Sequence, residues 1–139
     1  MKCWVGVASL NHVKAGVAGG FCQLGHGKHA PVARLSPGDR IIYYSPKTEM
    51  GAGKAVQAFT AIGEVLSGEV YEGNMRGNFM PARRDVRFYD ATDAPIRPLL
   101  ERLSFTQGRT SRGYAFRRGV FQITEDDYAV IAAAMGIKI

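Results

Sequence analysis

The sequence predicts an α+β domain built on a small, curved, largely antiparallel β-sheet that closes into a barrel. Segments that alternate like β-strands occur along the whole chain, irregular loops separate them, and short helical patterns stand near both ends. No regular series of alternating strands and helices is present, which argues against a parallel α/β fold. Because 139 residues suit one core, we expect residues 1–139 to form a single domain.

The first elements are a strand, a short helix and a long loop. Residues 1–8 alternate as a half-buried strand does. Ser9 then offers an N-cap for a helix over residues 10–17, and Gly20 stands at its end. The glycine-rich segment 21–33 is expected to be an ordered loop or a set of single turns.

Three strands are predicted in the middle of the chain. Residues 40–45 are apolar and follow a Pro-Gly-Asp turn. Residues 56–66 alternate more clearly, and strict alternation places Phe59 and Ala61 on the same face. Residues 83–89 form a further strand with a basic exposed side.

The last elements are a bent strand and a helix. Residues 114–118 and 120–123 are predicted to form one strand that bends at Gly119, where we expect a β-bulge. Thr124 then caps a helix whose first turn is rich in acidic residues, and Gly136 closes it.

The positive charge is concentrated in the second half of the chain. The formal net charge is +6, and ten arginines lie between residues 76 and 118 against four acidic residues. Because arginine forks match phosphate oxygens and stack on bases, this excess favours an anionic, planar partner such as nucleic acid. The alternative is a basic surface that only keeps the protein soluble.

Composition excludes several other classes of protein. No run approaches the roughly 18 consecutive apolar residues of a membrane span, and no signal-peptide pattern is present, so no membrane partner is expected. Cys3 and Cys22 are too few for a disulfide framework, which favours a reducing, cytoplasmic location.

Two short motifs suggest metal or nucleotide chemistry but lack essential parts. Residues 51–54 (GAGK) resemble a phosphate loop without its earlier glycine and its following hydroxyl. Cys22, His26 and His29 are suitably spaced for one metal, but a structural zinc site needs four ligands. No combination of residues demands catalysis, so we expect no catalytic residue, metal or cofactor.

The most informative segment is residues 41–47 (IIYYSPK), where an apolar strand ends in two tyrosines, a hydroxyl, a proline and a cation. Aromatic faces can stack on a base, and a hydroxyl can bond its edge. The segment therefore favours a site for a flat, polar ligand. The alternative is a tyrosine pair in the core followed by an ordinary surface loop.

Taken together, these motifs resemble the EVE domain family, a branch of the PUA-like fold that is related to the ASCH and YTH domains. No single motif is diagnostic, but their order and spacing are specific and cover nearly the whole chain. The matching stretches are residues 4–9, 12–17, 20–21, 23, 26–28, 37–39, 43–47, 57–63, 79–84, 96–99, 103–105 and 119–121.

The resemblance implies a five- or six-stranded β-barrel flanked by short helices, with a cavity beside the first helix. It also implies binding of DNA or RNA through a modified base held in that cavity, with 5-methylcytosine or a derivative as the expected ligand. Trp4 is the only tryptophan, so a cage made entirely of tryptophans is excluded and tyrosine or phenylalanine would have to replace it.

Mapped onto this chain, the resemblance implies two sets of site residues. The base pocket would consist of Ser9, His12, Gly20, Phe21, Tyr43 or Tyr44, Ser45, Pro46, Phe79 and Pro81. The phosphate contacts would come from Lys28, Lys47, Arg83 and Arg84. Two other functions stay open, namely an enzyme that processes a small molecule or nucleotide in the same cavity, and an adaptor whose basic face binds an acidic protein.

Overall fold

The computed structural model describes residues 1–49, 51, 53–73, 80–108 and 115–137. Within these ranges it contains eight strands, three α-helices and three short 3-10 turns. The strands are β1 (Cys3–Val7), β2 (Phe21–Cys22), β3 (Arg40–Lys47), β4 (Ala55–Val65), β5 (Tyr71–Glu72), β6 (Ala82–Phe88), β7 (Ala94–Pro95) and β8 (Val120–Ile123). The helices are α1 (Leu10–Gly19), α2 (His29–Ala33) and α3 (Glu125–Ala134), and the 3-10 turns are Gly25–Gly27, Arg97–Leu99 and Ala115–Arg118.

The strands form one curled, mixed sheet in the order β2-β6-β4-β3-β1-β8. Two short strands lie off this path, because β5 pairs with β6 and β7 pairs with β4. Only β1 and β3 run parallel among the described pairs, and all other pairs are antiparallel. The predicted α+β class with a largely antiparallel, curved sheet is confirmed.

Both faces of the sheet are covered, and each carries its own core. Ile41 and Tyr43 of β3 point into a core shared with α1 and α2, which we call the helix-side core. Ile42 and Tyr44 point to the opposite face, into a core shared with α3 and the turn before β8, which we call the C-terminal core. This explains why β3 has a continuous apolar run, since a strand buried on both faces needs apolar residues at every position.

The pairing of β3 with β4 contains a bulge that corrects one prediction. Tyr43 lies opposite Ala61, whereas its neighbour Tyr44 lies opposite Phe59, so Thr60 is the extra residue. The bulge re-aims the side chains that precede it. Phe59 therefore packs in the C-terminal core and Ala61 in the helix-side core, and the prediction that they share a face is wrong.

The predicted strand over residues 114–118 is also wrong. Residue 114 lies outside the described part of the chain, and Ala115–Arg118 form a 3-10 turn. The reason is tertiary, because the ring of Phe116 stacks on Tyr44 with 3.7 Å between ring centroids. Gly119 then adopts φ +76°, which redirects the chain into β8.

Both predicted helix caps are confirmed. The Ser9 Oγ accepts from the backbone N of His12 at 3.3 Å, and the Thr124 Oγ1 accepts from the backbone N of Asp127 at 3.1 Å. Gly20 ends α1 in the left-handed conformation with φ +73°.

A buried carboxylate fixes the turn before β3 to the start of β1. The Asp39 side chain accepts from the backbone N of Lys2 at 2.9 Å, from the backbone N of Ser36 at 2.9 Å and from the Trp4 Nε1 at 3.0 Å. Burial acts to raise the pKa of Asp39, but these hydrogen bonds outweigh it and the pKa is lowered. No helix in the described part of the chain is long and apolar enough to cross a membrane.

Candidate functional site

A cavity of about 660 Å³ opens where β1 ends and α1 begins. Three segments that are distant in sequence form its walls. Its described lining residues are Val7, Ala8, Ser9, His12, Gln23, Gly25, Lys28, Ala30, Pro31, Arg34, Arg117, Arg118, Gly119 and Val120. The volume lies within the roughly 300–1,000 Å³ of small-molecule sites.

The rim of this cavity is positively charged. Lys28 and Arg34 come from the α2 region, and Arg117 and Arg118 come from the turn before β8. All four side chains are exposed, and none of the described lining residues is acidic. A concave site with one sign of charge concentrates counter-ions, so the geometry favours an anionic ligand.

Ser9 and His12 occupy the junction between β1 and α1. Ser9 is buried, and its hydroxyl uses an acceptor lone pair for the helix cap, which leaves its O–H as a donor. The His12 imidazole lies edge-on to the Tyr43 ring, with 6.5 Å between centroids and 73° between planes. Helix capping and packing thus hold both side chains at the cavity.

Gln23 forms the inner wall and is held by Tyr43. The Tyr43 hydroxyl accepts from the Gln23 backbone N at 3.1 Å and donates to the Gln23 backbone O at 3.0 Å. Tyr43 is only 1% exposed, and burial raises the pKa of its phenol. The tyrosine is therefore a rigid support for the wall and does not line the cavity itself.

The structure does not place either tyrosine where a base could stack on it. Tyr43 lies one layer behind the cavity, and Tyr44 points into the C-terminal core, where its ring is parallel to Phe116. The physical reason is that both faces of β3 are covered. The unbroken apolar run from Ile41 was the signal for this arrangement, which corresponds to the alternative of a core tyrosine pair.

The other predicted pocket residues also lie away from the described cavity lining. Ser45 is fully buried and shares a 2.7 Å hydrogen bond with the Thr60 hydroxyl. The cavity lining also lacks four other predicted pocket residues, namely Gly20, Phe21, Pro46 and Pro81. Phe79 lies outside the described residues.

Of the four predicted phosphate contacts, the structure brings only Lys28 to the cavity. Lys47 is exposed at the far end of β3, where its Nζ donates to the backbone O of Gly51. Arg84 is only 8% exposed and pairs with Cys22 in the sheet, so burial withdraws it from a polyanion. Arg83 lies over the Phe21 ring and donates to the side chain of Gln23.

Three of the four rim cations were not anticipated. Arg117 and Arg118 would point to opposite faces of a strand, whereas the 3-10 turn brings both to the rim. Arg34 follows a helix of five residues that no sequence signal marked clearly. Gln23 did belong to the motif that resembles the EVE family, and this was the available signal for it.

The described residues provide no metal centre. No group of three or more described His, Cys, Asp or Glu side chains could hold one ion. The side chain of His26, one of the three residues considered for a metal, lies outside the described part of the chain. Burial raises the pKa of the Cys22 thiol to about 12, so it stays protonated at neutral pH.

Residues 2–134 match the family model described as the EVE domain, so the chain belongs to the EVE domain family. Among its relatives is the UPF0310 protein msl3206 of Mesorhizobium japonicum, which is 52% identical over 135 residues, or 96% of this chain and 91% of the relative. The UPF0310 protein YdcG of Bacillus subtilis is 45% identical over 136 residues, or 98% of this chain and 93% of the relative.

Solved structures of low sequence identity share the fold of this chain. The Mmi1 YTH domain superposes with a TM-score of 0.60 at 6% identity, covering 98% of this chain and 96% of that domain. Rpa0253 from Rhodopseudomonas palustris superposes with a TM-score of 0.57 at 18% identity, covering 98% of this chain and 94% of the other.

Proposed function

We propose that this protein is a nucleic-acid-binding module that takes one unpaired base into the cavity beside α1, and that the preferred base is 5-methylcytosine or a derivative. The observation that carries the proposal is a cavity large enough for a nucleotide with four exposed cations and no acid among its described lining residues. Membership of the EVE family and a fold shared with a YTH domain support it.

The rim cations suit a sugar-phosphate backbone. Lys28 and Arg34 come from the α2 region and Arg117 and Arg118 from the turn before β8, so a strand that crosses the mouth meets positive charge from two separate segments. Arginine binds phosphate through paired N–H groups, and such contacts hold the strand while a base enters.

The interior suits the edge of a base better than a stack of rings. Ser9 and Gln23 offer hydrogen-bonding groups, and Val7, Ala8 and Val120 offer apolar surface for a methyl group. Among the described lining residues, His12 supplies the only aromatic face. Stacking is worth roughly 1–3 kcal/mol per base, so hydrogen bonds and phosphate contacts must supply more of the affinity than in an aromatic cage.

This distribution of contacts favours single-stranded nucleic acid. Removing a base from a duplex costs a few kcal/mol in stacking and pairing, and the cost is smallest for a base that is already unpaired. With one described aromatic face available, the cavity recovers little of that cost. We therefore expect single strands to bind more tightly than duplexes of the same sequence.

The test is a titration with a labelled single strand of roughly ten nucleotides that carries one central 5-methylcytosine, against the same strand with cytosine. Both are measured from about 50 to 200 mM salt, as DNA and as RNA, because the 2′-hydroxyl separates the two. We expect tighter binding of the modified strand at every salt concentration. Equal affinities that fall in parallel with salt would leave charge attraction alone and refute base recognition.

The same assay separates the other candidate functions. An enzyme would turn the ligand over, and His12→Ala would abolish that reaction while leaving affinity for the strand unchanged. An adaptor for an acidic protein would bind nucleic acid only through charge, with no preference between the two strands. Either result would replace the proposed function.

A further inference from the structure

We propose that Arg84, which does not line the cavity beside α1, forms a binding site for a small oxyanion of the phosphate type. The observation that carries the proposal is a guanidinium that is almost wholly buried and has no acidic side chain as a partner. This site goes beyond the proposed function and does not depend on it, because its ligand is recognised by charge and shape and not as a base.

The sheet directs the Arg84 side chain toward the helix-side core. Arg84 lies between Ala82 and Val86 along β6, and both of these alternate residues belong to that core. Helix α2 contributes to the same core and packs against β6, and the strand partner of Arg84 on β2 is the fully buried Cys22. Only 8% of Arg84 is therefore exposed, against 63% of the side chain of Arg87 on the same strand.

The Arg84 guanidinium has no hydrogen-bond or ion-pair partner among the described residues. Its Nε is sealed from solvent and makes no hydrogen bond, and its two terminal nitrogens donate to no described residue either. All twelve Asp and Glu residues of the chain lie in the described ranges, and none of them forms an ion pair with Arg84. The chain's own acidic side chains thus leave this charge uncompensated.

The two titratable neighbours of Arg84 do not neutralise it. Burial raises the pKa of the Cys22 thiol to about 12, so this group carries no charge at neutral pH. Asp85 follows Arg84 on the opposite face of the strand, where its Oδ1 accepts from the Tyr71 hydroxyl at 2.6 Å. Arginine keeps its positive charge in proteins, and a buried cation without a counter-ion is strongly disfavoured. We therefore expect the compensating anion to come from outside the chain.

The accessible part of the guanidinium limits the anion to a small group. Only Nε is sealed, so the two terminal nitrogens of Arg84 reach the surface. Their parallel N–H groups match two oxygens of a phosphate or a carboxylate. A phosphate monoester carries about −1.5 to −2 charges at pH 7, so it compensates a buried cation better than a carboxylate does. The same burial keeps the backbone of a strand away, which leaves free phosphate or the terminal phosphate of a nucleotide.

Binding at this site stabilises the folded protein, because only the folded chain assembles it. The ratio of folded to unfolded protein rises by a factor of 1 + [phosphate]/Kd, which is about elevenfold at ten times Kd. Phosphate also stabilises proteins in general, because it is excluded from their surface. The specific effect is therefore the difference between the wild type and a variant without the guanidinium.

Arg84→Met is the test variant, because an unbranched apolar side chain replaces the buried stem and removes the charge. Replacing an unpaired buried charge in this way relieves its cost, so we expect the variant to be folded and at least as stable as the wild type without phosphate. Arg87→Met is the matched control. It makes the same change on the same strand, in an exposed arginine that donates to Glu64.

The first measurement is urea unfolding at pH 7 in increasing sodium phosphate, with sodium chloride keeping the ionic strength constant. We expect a saturating gain in the wild type and in Arg87→Met. At ten times Kd, this gain should exceed that of Arg84→Met by about elevenfold in the ratio of folded to unfolded protein. A gain of the same size in all three proteins would be the general effect of phosphate and would overturn the site.

The second measurement locates the phosphate in the ¹⁵N-labelled wild type and needs no variant. We expect phosphate to shift the Arg84 Nε–H signal, which burial protects from exchange, together with the backbone amides of Cys22 and Arg84. Shifts at Lys28 and Arg34 with no change at Arg84 would assign the phosphate to the rim of the cavity and overturn the proposal.

The third measurement distinguishes the two sources of the phosphate. It compares the affinities of a short single strand with a 5′-phosphate and the same strand with a 5′-hydroxyl, in the wild type and in Arg84→Met. A preference for the 5′-phosphate that Arg84→Met loses assigns the site to the end of a strand. Equal affinities, with the effect of free phosphate intact, assign it to free phosphate. If the strands show no base preference but free phosphate still stabilises the wild type over Arg84→Met, the proposed function fails while the anion site stands.

Discussion

Replacing Tyr43 by phenylalanine removes a single hydroxyl from behind the inner wall of the cavity. That hydroxyl accepts from the backbone N of Gln23 and donates to its backbone O, at 3.1 and 3.0 Å, in a region with almost no solvent access. The ring itself stays in the helix-side core. The substitution therefore isolates two hydrogen bonds that connect β3 to the segment carrying Gln23.

The expected loss of stability follows from these two bonds. A buried donor or acceptor left without its partner costs about 1–3 kcal/mol, and Tyr43→Phe leaves one of each on Gln23. Because the segment can relax in part, we expect the free energy of unfolding to fall by about 2–3 kcal/mol. With a urea dependence of about 1–3 kcal/mol/M, the unfolding midpoint should fall by roughly 1–2 M.

Tyr44→Phe is a matched control at the next position. The chemical change is identical, but the Tyr44 hydroxyl makes no hydrogen bond to any described residue, and its ring keeps its stack on Phe116. We expect this variant to lose less than about 1 kcal/mol, within the ordinary range for a change that breaks no buried bond.

The assay is urea unfolding followed by the fluorescence of Trp4, with binding of the modified single strand measured on the folded variants. Tyr43→Phe should also weaken the base preference, because Gln23 loses its backbone support. Equal stability losses for the two variants would refute the argument that Tyr43 fixes the cavity wall.

The remaining predictions concern charge, pH and capping. Replacing both Arg117 and Arg118 by glutamine should lower the salt slope of single-strand binding by about 0.7 for each phosphate that is no longer bound, and an unchanged slope would remove them from the interface. Asp39→Asn should cost about 1.5–3 kcal/mol at pH 7. Because the pKa of Asp39 is lowered on folding, its stabilisation is present above its unfolded pKa of about 3.9 and is lost as pH falls through its folded pKa, so the wild type and Asp39→Asn should converge in acid. If the free energies of unfolding of the wild type and Asp39→Asn stayed equally far apart as the pH falls, this prediction would be contradicted. Ser9→Ala and Thr124→Ala should each cost about 1 kcal/mol of stability through loss of a helix cap, but only Ser9→Ala should weaken binding.

Local chemistry explains which parts of the fold were predictable. The caps at Ser9 and Thr124 depend on a side-chain oxygen and an amide three residues apart, so the sequence contains the whole interaction. The 3-10 turn at Ala115–Arg118 could not be predicted from local sequence in this way. Its conformation depends on Phe116 stacking on Tyr44, which is distant in sequence. The bulge at Thr60 likewise exists only relative to the partner strand.

The sequence predicted where the site lies better than it predicted which residues form it. Ser9, His12 and Lys28 line the cavity, because the junction of β1 and α1 and the glycine-rich loop after it can be recognised locally. The other rim cations depend on how the turn before β8 approaches α2, and no local pattern specifies that. Arg83 shows the same limit, since the sequence does not distinguish an arginine that contacts phosphate from one that bonds a glutamine side chain and packs on a phenylalanine ring.

The most direct test of the central claim is to map where a single strand carrying one 5-methylcytosine contacts the ¹⁵N-labelled protein. We expect the backbone amides of Ser9, His12 and Gln23 to shift together with those of the rim around Arg117. A strand with an abasic site at the same position should shift the rim but not these three. Shifts concentrated instead around Arg87 and Glu64, which do not line the cavity, or equal shifts with the abasic strand, would contradict this expectation.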